Sequence, residues 1–146
     1  MASFNKIDNF VNDLGLKVHN LSSDTIKVYL TNELPAATDT IYQASGDAGT
    51  NGPKDLATAG GYVAGGATVG TTAWANVSGT SSFTGANVVF TATTGFGPFQ
   101  YVVIYNSTDA TKRLIGWYNY GSAVTLLASE TFTVDFTTNT TIFTVA

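Results

Sequence analysis

Charge is what this 146-residue chain has least of. Only 11% of its residues are Asp, Glu, Lys or Arg, and from Leu56 to Thr108 there is no charged side chain and no histidine. Thr, Gly, Ala, Ser and Asn fill that stretch, with Val, Phe and Tyr among them. A segment so composed stays in solution through hydroxyls, amides and paired backbone, and it lacks the groups that move protons in catalysis. Cysteine is absent altogether, so neither disulfides nor thiolate metal sites can form. One histidine, His19, is the only imidazole that a Ser–His pair could use. Its place after an expected helix suits a cationic side chain at a helix C-terminus. No P-loop, no Gly-x-Ser-x-Gly and no complete Gly-x-Gly-x-x-Gly occurs. The chain is therefore read as a non-enzyme that needs no cofactor.

Two partner classes are also disfavoured. Six Lys and Arg against ten Asp and Glu give a formal net charge of −4, which repels phosphate backbones and anionic lipid surfaces alike. No apolar run reaches membrane-spanning length. The opening Met1-Ala-Ser-Phe-Asn-Lys-Ile-Asp lacks a basic region followed by an apolar run, so the expectation is a product made in the cytoplasm without an export signal.

What is present points to β-structure. At 44% hydrophobic residues, with nine Phe and seven Tyr, the chain can build one core of ordinary size. Residues 1–21 stand apart. Phe4, Ile7, Phe10, Val11 and Leu14 recur at three- and four-residue steps, which predicts an N-terminal amphipathic helix. Such a stripe packs on its own core or forms an arm on a neighbouring subunit. From residue 22 onward the period becomes two: Ile26, Val28 and Leu30 alternate with Lys27, Tyr29 and Thr31. Further strands are expected near Tyr62–Val69, Thr71–Val77, Val88–Thr93, Phe99–Tyr105, Leu114–Tyr120, Val124–Leu127, Thr131–Phe136 and Thr141–Val145. Short strands at this spacing predict a mainly β domain over 22–146, an antiparallel sandwich of jelly-roll-like type, in a single-domain protein. Thr suits its outer faces, being β-branched and uncharged. Between Asn32 and Gly60 lies a long irregular region carrying Pro35, Pro53 and the turn pair Asn51-Gly52. Its Asp39, Asp47 and Asp55 could hold at most a weak calcium ion, because Gly49 and Thr58 stand where a calcium loop needs ligands. Trp74, Trp117, Tyr118 and Tyr120 could offer a sugar platform or anchor an interface.

Several segments together resemble small proteins of tailed bacteriophages. They are Met1-Ala-Ser-Phe-Asn-Lys-Ile7, Lys17-Val-His-Asn-Leu21, Ser23-Asp-Thr-Ile-Lys-Val-Tyr-Leu-Thr31, Gly60-Gly-Tyr-Val-Ala-Gly-Gly-Ala-Thr68, Gly97-Pro-Phe-Gln-Tyr-Val-Val-Ile-Tyr105, Leu114-Ile-Gly-Trp-Tyr-Asn-Tyr-Gly121 and Glu130-Thr-Phe-Thr-Val-Asp-Phe136. Within that group the chain is most similar to capsid decoration, or cement, proteins. The resemblance implies a β-rich virion protein on the exterior of the capsid, without catalytic motif or cofactor, bound to the major capsid protein. It also implies self-association, with a homotrimer favoured and a dimer second. The region Ala44–Ala59 is longer and richer in Gly than the group's pattern. Candidate partner contacts are Phe4, Ile7, Phe10, Val11, Leu14, Trp74, Trp117 and Tyr118. A glycan-binding or adhesion module on a virion appendage is the alternative.

Overall fold

The structure is a computed structural model that describes residues 3–136 and 141–146. Met1 and Ala2, the start of the expected helix, lie outside the described residues. In chain order the elements are β1 (Phe4–Lys6), α1 (Phe10–Gly15), β2 (Ile26–Thr31), β3 (Ala67–Thr68), β4 (Ala73–Val77), β5 (Thr80–Thr84), β6 (Val88–Thr91), β7 (Gly95–Asn106), β8 (Leu114–Leu127), β9 (Thr131–Val134) and β10 (Thr141–Val145). They form a five-stranded sheet ordered β1-β8-β7-β2-β3, a three-stranded sheet β10-β5-β4 and a pair β6-β9. Every strand pairing is antiparallel. The protein is mainly β, as the two-residue periodicity predicts.

The register of β2 on β7 explains the core. Ile26, Val28 and Leu30 oppose Asn106, Ile104 and Val102 on one face, while Lys27, Tyr29 and Thr31 oppose Tyr105, Val103 and Tyr101 on the other. The first face meets the two small sheets. There Phe99 of β7 packs edge-on against Phe132 of β9, with ring centroids 4.9 Å apart, and Phe4 of β1 stacks on Phe143 of β10 at 5.0 Å. The second face is covered by the long irregular segment: Tyr42 stacks on Tyr105 at 4.9 Å and meets Tyr29 edge-on at 5.1 Å. Both faces are thus used, and Tyr101 through Asn106 are all buried, in keeping with the nearly continuous apolar run of this strand.

The irregular segment is held by its own polar groups. The Asn51 carbonyl accepts the Thr40 and Ile41 N–H groups at 2.7 and 3.2 Å. A Cβ on Gly52 would lie 2.1 Å from the Ile41 carbonyl oxygen, so the Asn51-Gly52 turn requires glycine. Gln43 is buried, and the carbonyls of Gly49 and Gly52, at 2.8 and 3.0 Å, assign its amide the orientation in which the nitrogen donates to both.

The N-terminal helix expected over the first twenty residues is corrected. Phe4–Lys6 is a strand paired with Gly116–Tyr118 of β8, and the helix is only Phe10–Gly15. The 3–4 spacing arises because Phe4, Ile7 and Phe10 each reach the core from a strand, a turn and a helix in succession. A strand wins at Phe4–Lys6 because β8 has an edge to complete there. The segment Tyr62–Val69 is also mostly not a strand. Gly60 and Gly61 before it and Gly65 and Gly66 within it all have positive φ and bend the chain, so that Tyr62 makes only an isolated bridge to Ala59 and Ala67–Thr68 alone form a strand. Conversely, β8 fuses two expected strands across Gly121, whose φ of 97° a glycine adopts readily. β5, Thr80-Ser-Ser-Phe-Thr84, has one apolar residue and no alternating signal, and was not expected.

Candidate functional site

Three of the eight sequence-predicted contact residues converge on one ring, and a fourth joins through Phe4. Phe143 in β10 touches Phe4 and Phe10 at 5.0 and 5.1 Å and Trp74 at 6.4 Å, and Phe4 in turn meets Tyr118 at 5.7 Å. Ile7 and Phe10 are each only 1% exposed, and Phe4, Leu14, Trp74, Trp117 and Tyr118 are half-buried against the core. Val11 alone among the eight is well exposed, at 47%. The N-terminal apolar stripe therefore packs within its own chain. Tyr118 is further tied by its hydroxyl, which donates to the Ile142 carbonyl at 2.8 Å. Burial holds that phenol well above its ordinary pKa. Tyr118 and Trp117 are successive strand residues and face opposite sides of the central sheet.

His19 is not the exposed cation expected at a helix end. The helix stops four residues earlier, and His19 is buried. Its Nδ1 lies 3.2 Å from the Asn106 amide nitrogen, which places the ring proton on Nε2. Among the described residues Nε2 has no hydrogen-bond partner; it lies 4.0 Å from Asp13 Oδ2, while Asp13 Oδ1 receives Arg113 Nη1 at 3.0 Å. Desolvation lowers the His19 pKa against the pull of Asp13, so the ring is neutral at neutral pH. Among the described residues no nucleophilic hydroxyl is hydrogen-bonded to His19.

The three loop acids are likewise spent on the fold. Asp39 accepts the Ala36 N–H at 2.7 Å and Asp47 the Ala44 N–H at 2.8 Å, both local turn contacts. Asp55 is buried, and its oxygens take the Tyr62 hydroxyl, the Gly65 N–H and the Tyr42 hydroxyl. Among the described residues no three His, Cys, Asp or Glu side chains are grouped to hold a metal ion.

Two surface features bear on contact with a partner. One is an open apolar depression of about 150 Å³ walled by Val102, Tyr118, Tyr120, Phe132 and Val134, over which Tyr120 is 57% exposed. The other is a pair of neutral strand faces inside the charge-free stretch, one on β4 and one on β6, which belong to different sheets. Ala73, Ala75, Val77, Val89 and Thr91 are exposed there, Val77 at 74%. The sequence shows where charge is missing but not which strands carry the exposed residues. Val77 and Val89 were missed because an apolar residue in a strand reads as core until its face is known. Among the described residues no helix is long and apolar enough to cross a membrane.

No family model matches the chain, and neither the curated proteins nor the solved structures yield a match.

Proposed function

We propose that this chain is a capsid decoration protein of a tailed bacteriophage, bound to the major capsid protein on the outside of the icosahedral head, where it stabilises the shell. The observation that carries this reading is the uncharged, exposed strand faces of β4 and β6, where Val77 and Val89 stand out among Ala73, Ala75 and Thr91. Such a surface can be buried against a large neighbour without stripping water from charges. Repetition over an icosahedral shell then adds many modest contacts into tight binding. The resemblance of the sequence segments supports the same assignment. The strand spacing predicts jelly-roll-like connectivity, which in this fold asks the two small sheets to act as one layer.

The reading is tested by mass spectrometry of purified particles and by heating particles with and without the protein. Copies in stoichiometric ratio to the capsid protein, and shells that lose DNA at lower temperature without it, are expected. Particles that contain none of it reject the proposal. A second reading, a glycan-binding module, draws on Tyr118 and Tyr120 beside the apolar depression. A Tyr120→Ala change that abolishes binding to host surface glycans while leaving particle stability intact favours it.

A further inference from the structure

Among the described residues strand β4 is the outer strand of its sheet, paired on one side only, with β5. Its pairing phase is fixed by the turn. Ser78 and Gly79 both have positive φ (51° and 87°), the signature of a two-residue type I′ hairpin. Val77 and Thr80 close that hairpin as a hydrogen-bonded pair, so Ala75–Ser82 and Ala73–Thr84 are bonded as well. The N–H and C=O groups of Trp74 and Asn76 then point away from β5, along the open edge. Among the described residues neither makes a backbone hydrogen bond outside its own hairpin.

Edges of this kind are normally guarded by Lys, Pro, a bulge or extreme shortness. β1 carries Lys6, β3 is two residues long, and β10 has a register shift with its Ile142 carbonyl already taken by the Tyr118 hydroxyl. β4, Ala-Trp-Ala-Asn-Val, has none of these guards.

We propose that the β4 edge pairs antiparallel with the β4 edge of a second copy of this chain, about a two-fold axis through Ala75. Self-complementarity is what singles out this occupant. In that register Trp74 faces Asn76 of the copy as a hydrogen-bonded pair, and the reciprocal pair repeats it, using all four outward groups. Ala75 meets its own copy at a non-bonded position, where side chains come closest and a methyl group fits. Ala73 meets Val77, an apolar pair on the outer face. A two-fold pairing sets any charge near the axis against itself, and this strand lies in the charge-free stretch, so no repulsion arises. The two three-stranded sheets become one six-stranded sheet. This gives a dimer in place of the expected trimer, and it does not depend on what the shell partner is.

Absence of cysteine makes the test direct. The wild type is examined by sedimentation velocity at its highest soluble concentration. Ala75→Cys is oxidised and run on a non-reducing gel beside Val89→Cys, an exposed control on β6. Ala75→Lys is examined by sedimentation, with circular dichroism to verify folding. The proposal expects a wild-type dimer, a covalent dimer for Ala75→Cys but not Val89→Cys, and an Ala75→Lys dimer whose affinity is about tenfold or more lower because like charges meet at the axis. An equimolar mixture of Ala75→Lys and Ala75→Glu regains the dimer. A monomeric wild type, or an oligomer that the folded Ala75→Lys variant leaves intact, overturns it.

Discussion

The Tyr62 hydroxyl donates to Asp55 Oδ1 at 2.5 Å while accepting the Leu30 N–H at 3.0 Å. One oxygen therefore joins the long irregular segment to strand β2 of the central sheet. Around it the Tyr42 hydroxyl and the Gly65 N–H close on Asp55 Oδ2, and the Tyr105 hydroxyl donates to the Gly65 carbonyl at 2.8 Å. Burial pushes the Asp55 carboxyl above its ordinary value against the help of these donors. Burial, reinforced by the Asp55 charge, holds the Tyr62 and Tyr42 phenols far above theirs and raises Tyr105 to about 12.

Removing that oxygen leaves a buried N–H without a partner. Tyr62→Phe is expected to lower unfolding free energy by about 1–3 kcal/mol, measured by urea denaturation. Amide exchange at Leu30 and Gly65 should quicken more than exchange in β8. A variant as stable as the wild type would mean that the fastening is energetically idle.

The raised Asp55 pKa has a definite sign. The folded chain keeps this proton above pH 3.8, where the unfolded chain has lost it, so this contribution to stability is full below 3.8 and declines as pH rises through the folded value. Asp55→Asn cannot titrate. Urea midpoints of wild type and Asp55→Asn, taken over a pH series, should shift relative to each other in favour of the variant as pH rises from 3.8.

His19 works the other way. Its pKa is lowered by burial, so the unfolded chain binds a proton below 6.5 that the folded chain refuses. Stability from this group is full above pH 6.5 and is lost as pH falls toward the folded value. As the only histidine, its ring protons give one clean pair of signals, and an NMR titration midpoint below 6.5 is expected. A midpoint above 6.5 would show that Asp13 outweighs desolvation.

Gly116 carries the N-terminal strand. A Cβ there would come within 2.4 Å of the Phe4 ring and 2.5 Å of the Asn5 carbonyl oxygen. Gly116→Ala is expected to cost about 1–3 kcal/mol by overpacking. Combined with Phe4→Ala it should cost less than the sum of the single changes, since the ring that clashes is gone. Additive losses in the double-mutant cycle would separate the two residues.

How much of this could be read beforehand depended on the range of the signal. The alternation at Thr131–Val134 survives in β9, where one core face decides it, whereas in β2 the strand is present but Tyr29 and Thr31 are buried because the irregular segment covers that face as well. The stripe from Phe4 to Leu14 misled because three anchors in three conformations imitate a helical period. Asp55 was read only as a loop acid, since its partners Tyr42, Tyr62 and Gly65 become neighbours only after the segment folds back. Phe143, which gathers Phe4, Phe10 and Trp74, is one aromatic in a short terminal strand, and nothing local marks it as a hub.

Double coverage of β7 limits how this molecule can address anything else. With the Tyr42 side and the Phe99 side of its principal sheet both occupied, that sheet offers no broad face to a stranger. Contact has to pass through the rims and the two lesser sheets, so the protein meets its surroundings as a tile does, along its borders. Borders tolerate loop insertions and terminal fusions far from the joint, and a tag attached at Ser45–Gly46, in the exposed turn over the covered side, should leave every joining edge untouched.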